Sequence, residues 1–369
     1  MAGRVVLYCP DLPPVPGGLP DHTLALARAL AGRGADVLVA GQRGEPELFS
    51  PLPCRTGVGL GGLAAAAAAA GAASLILQYV PFAFARFGLA PALPLALAAA
   101  RHRAIRIGVF LHEPYVPFTR LPWLVTGGPM RWQFRAVMRR ADVIWSPVPA
   151  FLERARRVAR PGTTLTAVPV GATVPVRPAD RGRARAGLGL ASDDVAVGAF
   201  CPEPAGGRPD WIAAAGAALR DLPQVRWVLF GARSETAAPS LNGAVPPGDP
   251  SRVQRLGRLD PADVSRVFQA LDVAVAPFAD GLTLRRTSAM AALAHGVPLV
   301  SSRGPLFDPA LEDAAACADD SEAFAAALRA LAGDPARRRE LGAAGRRFYE
   351  TRGSVDVLAA RVVGDLGLA

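Results

Sequence analysis

Short apolar runs alternate with helix-forming segments through both halves of the chain, and this alternation limits the fold more than any other feature. The first unit consists of an apolar run at 4–8, a Gly/Pro-rich loop, a helical segment at 21–32 and a second apolar run at 35–40. A strand, a helix and a second strand in succession indicate a parallel sheet. The same alternation restarts near residue 195. The sequence therefore predicts an α/β protein made of two Rossmann-like domains.

A segment with two prolines and a glycine interrupts the alternation at 169–175. The chain has 369 residues, which is enough for two domains with complete cores. We therefore predict an N-terminal domain at 1–173 and a C-terminal domain at 174–354. Residues 355–369 are expected to form a terminal helix that packs back on the N-terminal domain.

The charge of the chain comes from an unusual set of side chains. Its formal net charge is +10, and every basic residue in that count is arginine, with no lysine. The missing lysine excludes a Walker phosphate loop and a lysine Schiff base. The positive charge fits a solvated surface, an anionic substrate or peripheral contact with an anionic membrane. Nucleic acid is not expected as a partner, because basic and aromatic residues do not interleave and no recognition module is present.

Cysteine and histidine spacing gives no sign of a disulfide framework or a metal site. Four cysteines and four histidines are scattered, without Cys-x-x-Cys pairs or metal-ligand spacing: Cys9, Cys54, Cys201 and Cys317, and His22, His102, His112 and His295. The apolar run at the N-terminus is too short for a signal peptide, and no run is long enough to span a membrane. We therefore expect a cytoplasmic protein with reduced thiols, and membrane association remains compatible with it.

The segment 277–302 concentrates the candidate chemistry. It follows an apolar run at 273–276 that is typical of a buried strand. The segment itself is typical of a loop, then a helix with Ser288 as its N-cap, then a buried strand at 297–300. Arg285 and Arg286 stand just before the helix, where unpaired N–H groups, the helix dipole and two guanidiniums favour a phosphate or pyrophosphate. Asp280 lies in the same loop. Because phosphates repel a carboxylate, we expect Asp280 to accept hydrogen bonds from hydroxyls of an attached sugar.

This segment resembles the nucleotide-sugar site of glycosyltransferase family 4, whose members have the GT-B fold. The run ALAHGVPLV at 292–300 matches the end of the family's pattern, where a helix stops at glycine before a Pro-containing strand. The family's Glu-x7-Glu matches less well. Anchored on Gly296, the second Glu falls on Ala291 and the first on Thr283, and Asp280 takes the first position only with three inserted residues. Gly17-Gly18, followed by an Asp-His-Thr helix, is similar to the family's opening loop.

The resemblance implies a fold, an activity and a set of co-substrates. The fold is of GT-B type, with two Rossmann-like domains facing across a cleft, the N-terminal domain for the acceptor and the C-terminal domain for the donor. The activity is that of a retaining glycosyltransferase of hexosyltransferase type that uses a nucleotide-diphosphate sugar. No cofactor is expected, and no metal, since arginines and helix amides would neutralise the diphosphate.

The resemblance also assigns roles to residues of this chain. The catalytic residues are expected to be His112, which follows a predicted strand at 105–111, together with Asp280 and Arg286. The donor phosphates and nucleotide are expected to contact Gly18, Arg208, Gly257, Leu259, Arg285, Thr287 and Ser288. The acceptor is expected to contact Asp21, His22, Glu113 and Tyr115. Ala199 stands where the family has an arginine, and we expect Arg208 or the Arg285–Arg286 pair to replace it.

The acceptor and two other function classes remain open. A cell-surface polysaccharide or a lipid-linked acceptor fits the basic surface, including the helix predicted at 130–140, whereas a natural product fits the apolar loops at 79–87 and 112–123. The departures from the family pattern also fit a non-catalytic protein that binds nucleotide sugar as the partner of another transferase. A sugar epimerase on the same fold is a further alternative, and it would convert the donor without any acceptor.

Overall fold

The computed structural model of the protein describes residues 3–116, 121–200, 206–231, 234 and 252–368. The chain divides into two compact units. Unit 1 comprises Met1–Val170 and Val355–Ala369, and unit 2 comprises Gly171–Ser354. The sequence placed the first boundary three residues later, after residue 173. Both units are α/β structures built on a parallel sheet, as the alternation of apolar runs and helices predicted.

Unit 1 contains a seven-stranded parallel sheet in the order β3-β2-β1-β4-β5-β6-β7. Its central strands are buried on both faces, which explains their continuous apolar sequence. The strands are β1 Arg4–Tyr8, β2 Val37–Ala40, β3 Cys54–Arg55, β4 Ala72–Tyr79, β5 Arg106–Leu111, β6 Val143–Ser146 and β7 Thr164–Ala167. Its helices are α1 Gly18–Gly32, α2 Leu60–Ala69, α3 Pro81–Phe84, α4 Ala92–His102, α5 Leu121–Met138 and α6 Pro149–Arg156.

The last helix of the chain, Val355–Leu366, belongs to unit 1 and is labelled α13 here. It packs against α1, and its apolar residues lie in the same core as those of β1 and β2. Asp365 fixes its end, since Asp365 Oδ2 accepts hydrogen bonds from Trp145 Nε1 at 2.8 Å and Thr166 Oγ1 at 3.0 Å.

Unit 2 contains a six-stranded parallel sheet in the order β10-β9-β8-β11-β12-β13. The strands are β8 Val195–Phe200, β9 Val225–Phe230, β10 Val253–Arg255, β11 Val273–Ala276, β12 Leu299–Ser302 and β13 Ala316–Ala318. The helices are α7 Arg181–Gly187, α8 Pro209–Ala218, α9 Pro261–Ala270, α10 Thr287–Ala294, α11 Ser321–Gly333 and α12 Pro335–Phe348. Helix α10 lies in the core, with residues 289–294 buried. No helix within the described ranges is long and apolar enough to cross a membrane.

The structure corrects the predicted ends of helix α10. The helix begins at Thr287 with Arg286 as its N-cap, so the prediction of Ser288 as N-cap was wrong. At the other end, Gly296 has φ +67°, Gly296 N donates to Leu293 O and Val297 N donates to Ala292 O, both at 3.0 Å. These two hydrogen bonds end the helix in a C-terminal turn, and Val297 is part of that turn. Strand β12 therefore starts at Leu299, two residues later than predicted.

Candidate functional site

In unit 2, the loop after β11 holds two arginines on one carboxylate. Asp280 accepts a hydrogen bond from the guanidinium of Arg285 through one oxygen and from that of Arg286 through the other. The guanidinium of Arg286 also lies 4.2 Å from the ring centroid of Phe278. All three charged side chains are largely buried, at 18% exposure for Arg285, 13% for Arg286 and 25% for Asp280. We call these three residues the arginine cluster.

Backbone contacts fix the shape of this loop. Gly281 adopts φ +91°, and a Cβ at that position would lie 2.8 Å from Gly304 N, so only glycine fits without strain. Leu282 N donates to Ser302 O at 2.9 Å, and Leu306 N donates to Asp280 O at 2.8 Å. The loop is thus held on β12 and on the segment that follows it. Asp280 consequently presents its carboxylate from a defined backbone position.

The segment after β8 pairs with the same loop. Arg208 N donates to Pro277 O at 3.1 Å, and Ala279 N donates to Gly206 O at 2.8 Å. A Cβ at Gly206 would lie 3.9 Å from Arg286 Nη2, so this backbone passes close to the arginine cluster. The guanidinium of Arg208 points elsewhere: it binds Asp210 with Nη2 to Oδ2 at 2.7 Å and lies 4.9 Å from the Trp211 ring centroid. The structure therefore brings the backbone of Arg208 to the site and engages its charge on Asp210.

Thr287 and Ser288 form the first turn of α10, and both are half-buried. First-turn N–H groups have no intrahelical acceptors, and the N-cap residue supplies no side-chain cap here. The turn therefore presents N–H groups beside two guanidiniums, an arrangement that suits an anion.

The structure also bears on the second Glu of the family pattern. Ala291 is fully buried in the core, whereas Ser288 follows Asp280 by eight residues, the spacing of Glu-x7-Glu, and lies at the helix start.

Gly257 and Leu259 lie just beyond the carboxyl end of β10. Gly257 has φ +64°, and its carbonyl oxygen accepts a hydrogen bond from Gly231 N at 2.8 Å, which joins the ends of β9 and β10. Leu259 is half-buried and packs against the core. Residues 201–205, 232–233 and 235–251 lie outside the described residues, and they include Cys201 and most of the stretch between Ala199 and Arg208.

In unit 1, His112 lies just after β5, and three side chains contact its ring. His112 N donates to Tyr79 O at 3.1 Å, which places the residue beside the end of β4. Its Nε2 lies 2.6 Å from Gln78 Oε1 and donates to it. The ring packs against Phe110 at 4.5 Å and edge-on against His22 at 5.1 Å, both between centroids. Gln78 and Phe110 thus fix the tautomer and the plane of the imidazole.

His22 is buried beneath His112 rather than exposed to solvent, at 1% exposure. Its Nδ1 donates to Val170 O at 3.0 Å, because a carbonyl oxygen can only accept. Burial lowers the pKa of His22 to about 4, so the ring is neutral near pH 7. Its Nε2 has no hydrogen-bond partner within the residues that the structure describes. The structure thus places this predicted acceptor residue as a support for His112.

The other residues predicted for the acceptor and donor in unit 1 are spread around this site. Gly18 is the first residue of α1, and Asp21 in the same helix is exposed, as is Glu113 after β5. Tyr115 packs edge-on against Phe134 at 5.3 Å, and the guanidinium of Arg131 lies 4.3 Å from its ring centroid. Residues 117–120 of the predicted loop 112–123 lie outside the described part of the chain.

Sequence reasoning missed two residues that shape these sites. Gln78 bonds the ring of His112, and Phe278 lies under the guanidinium of Arg286. Gln78 could have been found, because it is a polar residue inside the otherwise apolar strand β4 and has 0% exposure. Phe278 carried no local signal that separates it from a core phenylalanine.

The comparisons with known proteins agree with this geometry. Residues 195–334 match the family model described as "Glycosyl transferases group 1". No curated protein matches the chain in sequence. Among solved structures, sucrose-phosphate synthase from Thermosynechococcus elongatus aligns with TM-score 0.72 and 19% identity, over 98% of this chain and 97% of that one.

Two further solved structures share the fold. Anabaena HepE, solved with UDP and glucose, aligns with TM-score 0.71 and 16% identity over 100% of both chains. WaaG, a glycosyltransferase of lipopolysaccharide biosynthesis, aligns with TM-score 0.66 and 15% identity, over 98% of this chain and all of that one. At these identities the alignments establish the fold. The chain therefore has a two-domain Rossmann-like fold of GT-B type, and the match of residues 195–334 to the group 1 glycosyltransferase model supports a transferase enzyme.

Proposed function

We propose that the protein is a retaining, metal-independent glycosyltransferase that moves a sugar from a nucleotide-diphosphate sugar to a cell-surface polysaccharide or a lipid-linked acceptor. The observation that carries this proposal is the arginine cluster beside the uncapped first turn of α10. The match of residues 195–334 to a group 1 glycosyltransferase domain supports it. The UDP complex of Anabaena HepE, which has the same fold, supports a nucleotide sugar as donor.

In the proposed reaction, the bond between the anomeric carbon and the diphosphate oxygen breaks, and the diphosphate leaves with the electron pair. The acceptor hydroxyl bonds to the anomeric carbon from the same face and gives up its proton to the departing phosphate oxygen. Charge grows on the leaving diphosphate, so preorganised cations and N–H groups stabilise the transition state. Arg285, Arg286 and the first-turn N–H groups of α10 supply that stabilisation without a metal ion. The donor must then displace Asp280 from at least one guanidinium, and the freed carboxylate is proposed to bind donor hydroxyls.

In the same proposal, His112 contacts the donor sugar at the reacting centre and Gly18 contacts the donor. Asp21, Glu113 and Tyr115 contact the acceptor, and the buried His22 supports His112. The structural support is the fixed orientation of the His112 ring by Gln78 and His22.

The test begins with donor binding and ends with stereochemistry. Thermal unfolding is measured with UDP, ADP and GDP and then with their hexose conjugates. We expect one nucleotide to raise stability by about 2.7 kcal/mol at a hundredfold excess over its Kd. Turnover is followed as release of nucleoside diphosphate with polysaccharide, lipid-linked and small-molecule acceptors, and the anomeric configuration of the product is read by NMR. An inverted product would contradict retention, and a donor converted without any acceptor would indicate an epimerase.

One observation favours a second candidate, a non-catalytic protein that binds nucleotide sugar for another transferase. Ala291 stands where the family has its second Glu, and Ala199 stands where it has an arginine. This candidate predicts donor binding with no product from any acceptor. The acceptor panel also distinguishes a natural-product tailoring enzyme from the main proposal. Such an enzyme would release nucleoside diphosphate only with the small apolar acceptors.

A further inference from the structure

Unit 1 carries an exposed apolar patch on α4, α5 and the segment around α3. Of the seven large hydrophobic side chains that are exposed in the described chain, five lie between residues 82 and 132. Their exposures are 45% for Phe82, 64% for Phe87, 67% for Leu95, 77% for Val125 and 61% for Trp132. A group of exposed apolar side chains marks an interaction surface more often than isolated ones do. These five residues are called the apolar patch below.

Contacts beneath the patch show that its parts are neighbours. Gln133 Oε1 accepts from Ala90 N at 2.6 Å, and Gln133 Nε2 donates to Gly88 O at 3.2 Å. A Cβ at Gly88 would lie 2.8 Å from Met130 Cε and 3.3 Å from Pro81 Cβ. The chain segments that carry Phe87 and Phe82 therefore lie against the turn of α5 that carries Trp132. Helix α4 begins two residues after Ala90 and also packs on α5.

The charge around the patch is almost entirely positive. Residues 56–141 contain nine arginines and one acidic residue, Glu113. Arg135 is exposed on α5 three residues after Trp132, on the same helix face. Arg139 is exposed in the turn that follows the helix, where Arg139 N still donates to Arg135 O at 3.0 Å. The guanidinium of Arg86 lies 5.5 Å from the ring centroid of Phe87. The patch is thus bordered by cations, an arrangement complementary to an anionic surface.

We infer that the apolar patch docks unit 1 on an anionic phospholipid bilayer. Aromatic side chains insert favourably at the headgroup boundary, and flanking arginines are attracted to anionic headgroups. The patch adjoins the carboxyl edge of the sheet, because Phe84 of α3 packs on Tyr79, whose carbonyl oxygen binds His112 N. Docking on a bilayer favours a lipid-linked acceptor over a polysaccharide. This conclusion about the acceptor rests on the proposed glycosyl transfer.

The test is co-sedimentation of the full chain with phosphatidylcholine vesicles, with and without phosphatidylglycerol, in the absence of nucleotide. We expect binding that needs the anionic lipid and weakens with salt. Phe87→Ser with Trp132→Ser should lower the partition coefficient at least about tenfold, since two aromatic side chains no longer insert. Arg135→Gln with Arg139→Gln should lower it about thirtyfold.

Matched variants separate this surface from general charge and hydrophobicity. Leu48→Ser with Val176→Ser removes exposed apolar side chains outside the patch, and Arg337→Gln with Arg339→Gln removes two exposed arginines of α12. Both double variants should bind as the wild type does. Equal losses in these controls, or no binding of wild type to anionic vesicles, would overturn the inference.

Two further measurements keep the result unambiguous. Light scattering without lipid tests a second copy of the chain as the occupant, and a mass that falls in the Phe87/Trp132 variant would replace the bilayer with self-association. Thermal unfolding shows whether each variant is folded. If the Phe87→Ser/Trp132→Ser variant is unfolded, the Arg135→Gln/Arg139→Gln variant alone tests the surface.

Calorimetry with the nucleotide is run on the same samples. If the wild type fails to bind vesicles but binds the nucleotide, the result counts against the docking surface alone. If the wild type binds vesicles but no nucleotide, the result counts against the proposed donor site.

Discussion

The loop after β11 in unit 2 and the end of β5 in unit 1 both carry polar side chains at the carboxyl edge of a parallel sheet, but they stabilise them in opposite ways. In unit 2 the charges are retained, and Asp280 neutralises Arg285 and Arg286. In unit 1 the paired histidines are packed among rings, and burial keeps His22 uncharged. A site with an internal counter-ion can exchange it for an anionic ligand, whereas a neutral packed site can only hold a ring in place.

This difference assigns different tasks to the two sites under the proposed function. The arginine cluster suits a group that arrives and leaves as a polyanion, because its counter-ion is already part of the protein. The His22–His112 pair suits a reacting centre whose histidine ring must be held in position against an uncharged neighbour. The predictions below test whether charge matters mainly in unit 2 and packing mainly in unit 1.

The largest effect is expected from Arg286→Ala. Removing this guanidinium should lower kcat/KM by about 10²–10³-fold, because charge on the leaving diphosphate loses a preorganised partner. Arg286→Lys should recover part of the loss, since a lysine keeps the charge but not the planar fork. Arg208→Ala serves as the control, as that guanidinium is engaged by Asp210. Steady-state rates for the three variants check this, and unchanged turnover in Arg286→Ala would remove the arginine from the mechanism.

The second prediction concerns the pH dependence of stability in unit 1. The pKa of folded His22 is about 4, below the ordinary value of 6.5, so the unfolded chain binds more protons between these values. The stabilisation from this residue is therefore complete above pH 6.5 and is lost as pH falls toward 4, by about 3 kcal/mol in total. Denaturant unfolding of wild type and His22→Asn at pH 7 and pH 4.5 measures it, because asparagine can still donate to Val170 O.

Two controls isolate His22 from other titrating groups. Burial also lowers the pKa of His295, so the wild type alone mixes two contributions. The contribution of His22 is therefore the difference between wild type and His22→Asn in how the free energy of unfolding changes with pH. His102→Asn changes an exposed histidine of the same unit and should keep the wild-type pH profile. A pH profile in His22→Asn that matches wild type would show that His22 is not held neutral by the fold.

The third prediction tests how rigidly the unit 2 loop holds its charges. Gly281→Ala should lower the free energy of unfolding by about 2–3 kcal/mol, because a Cβ at positive φ would also meet the backbone N atoms of Gly304 and Phe307. Gly162→Ala is the matched control, since Gly162 has φ +82° with no atom within 4 Å of a built Cβ. Gly162→Ala should lower the free energy of unfolding only by the cost of alanine at positive φ, about 1–2 kcal/mol. Equal losses would mean that the loop can relax away from β12.

The sequence was most informative where structure is set by local pattern. Buried apolar runs bounded by turns predicted the fold class and most strands, including β1 at 4–8 and β11 at 273–276. The edge strands β3 and β13 escaped because they have only two and three residues, too few to show a period. The start of α10 was misplaced because its N-cap, Arg286, makes no side-chain cap and so leaves no sequence signal.

The candidate sites show the same division between local and distant information. The position of Arg285 and Arg286 just before the start of α10 was predicted from neighbouring residues. The position of His22 beneath His112 depends on two residues 90 positions apart and on β5 lying beside β4, which no local pattern contains. The pairing of Asp280 with both arginines was missed for another reason. The three charges lie within seven residues, but the carboxylate was considered only against the phosphates of a ligand.

The smallest predicted effect concerns that pairing and bears most directly on the comparison. Asp280→Asn should free both guanidiniums from their internal counter-ion, so the nucleoside diphosphate no longer competes with a carboxylate. The site is about a quarter exposed, and solvent screening limits the gain to about 1 kcal/mol, or roughly a fivefold lower Kd. Turnover should fall at the same time if the carboxylate binds donor hydroxyls. Calorimetry with the nucleotide and steady-state rates measure both quantities, with Asp210→Asn as the control for an exposed Asp–Arg pair. Weaker nucleotide binding in Asp280→Asn would show instead that the carboxylate orients the arginines for the ligand, and the counter-ion in unit 2 would then have a positioning role like that of Gln78 in unit 1.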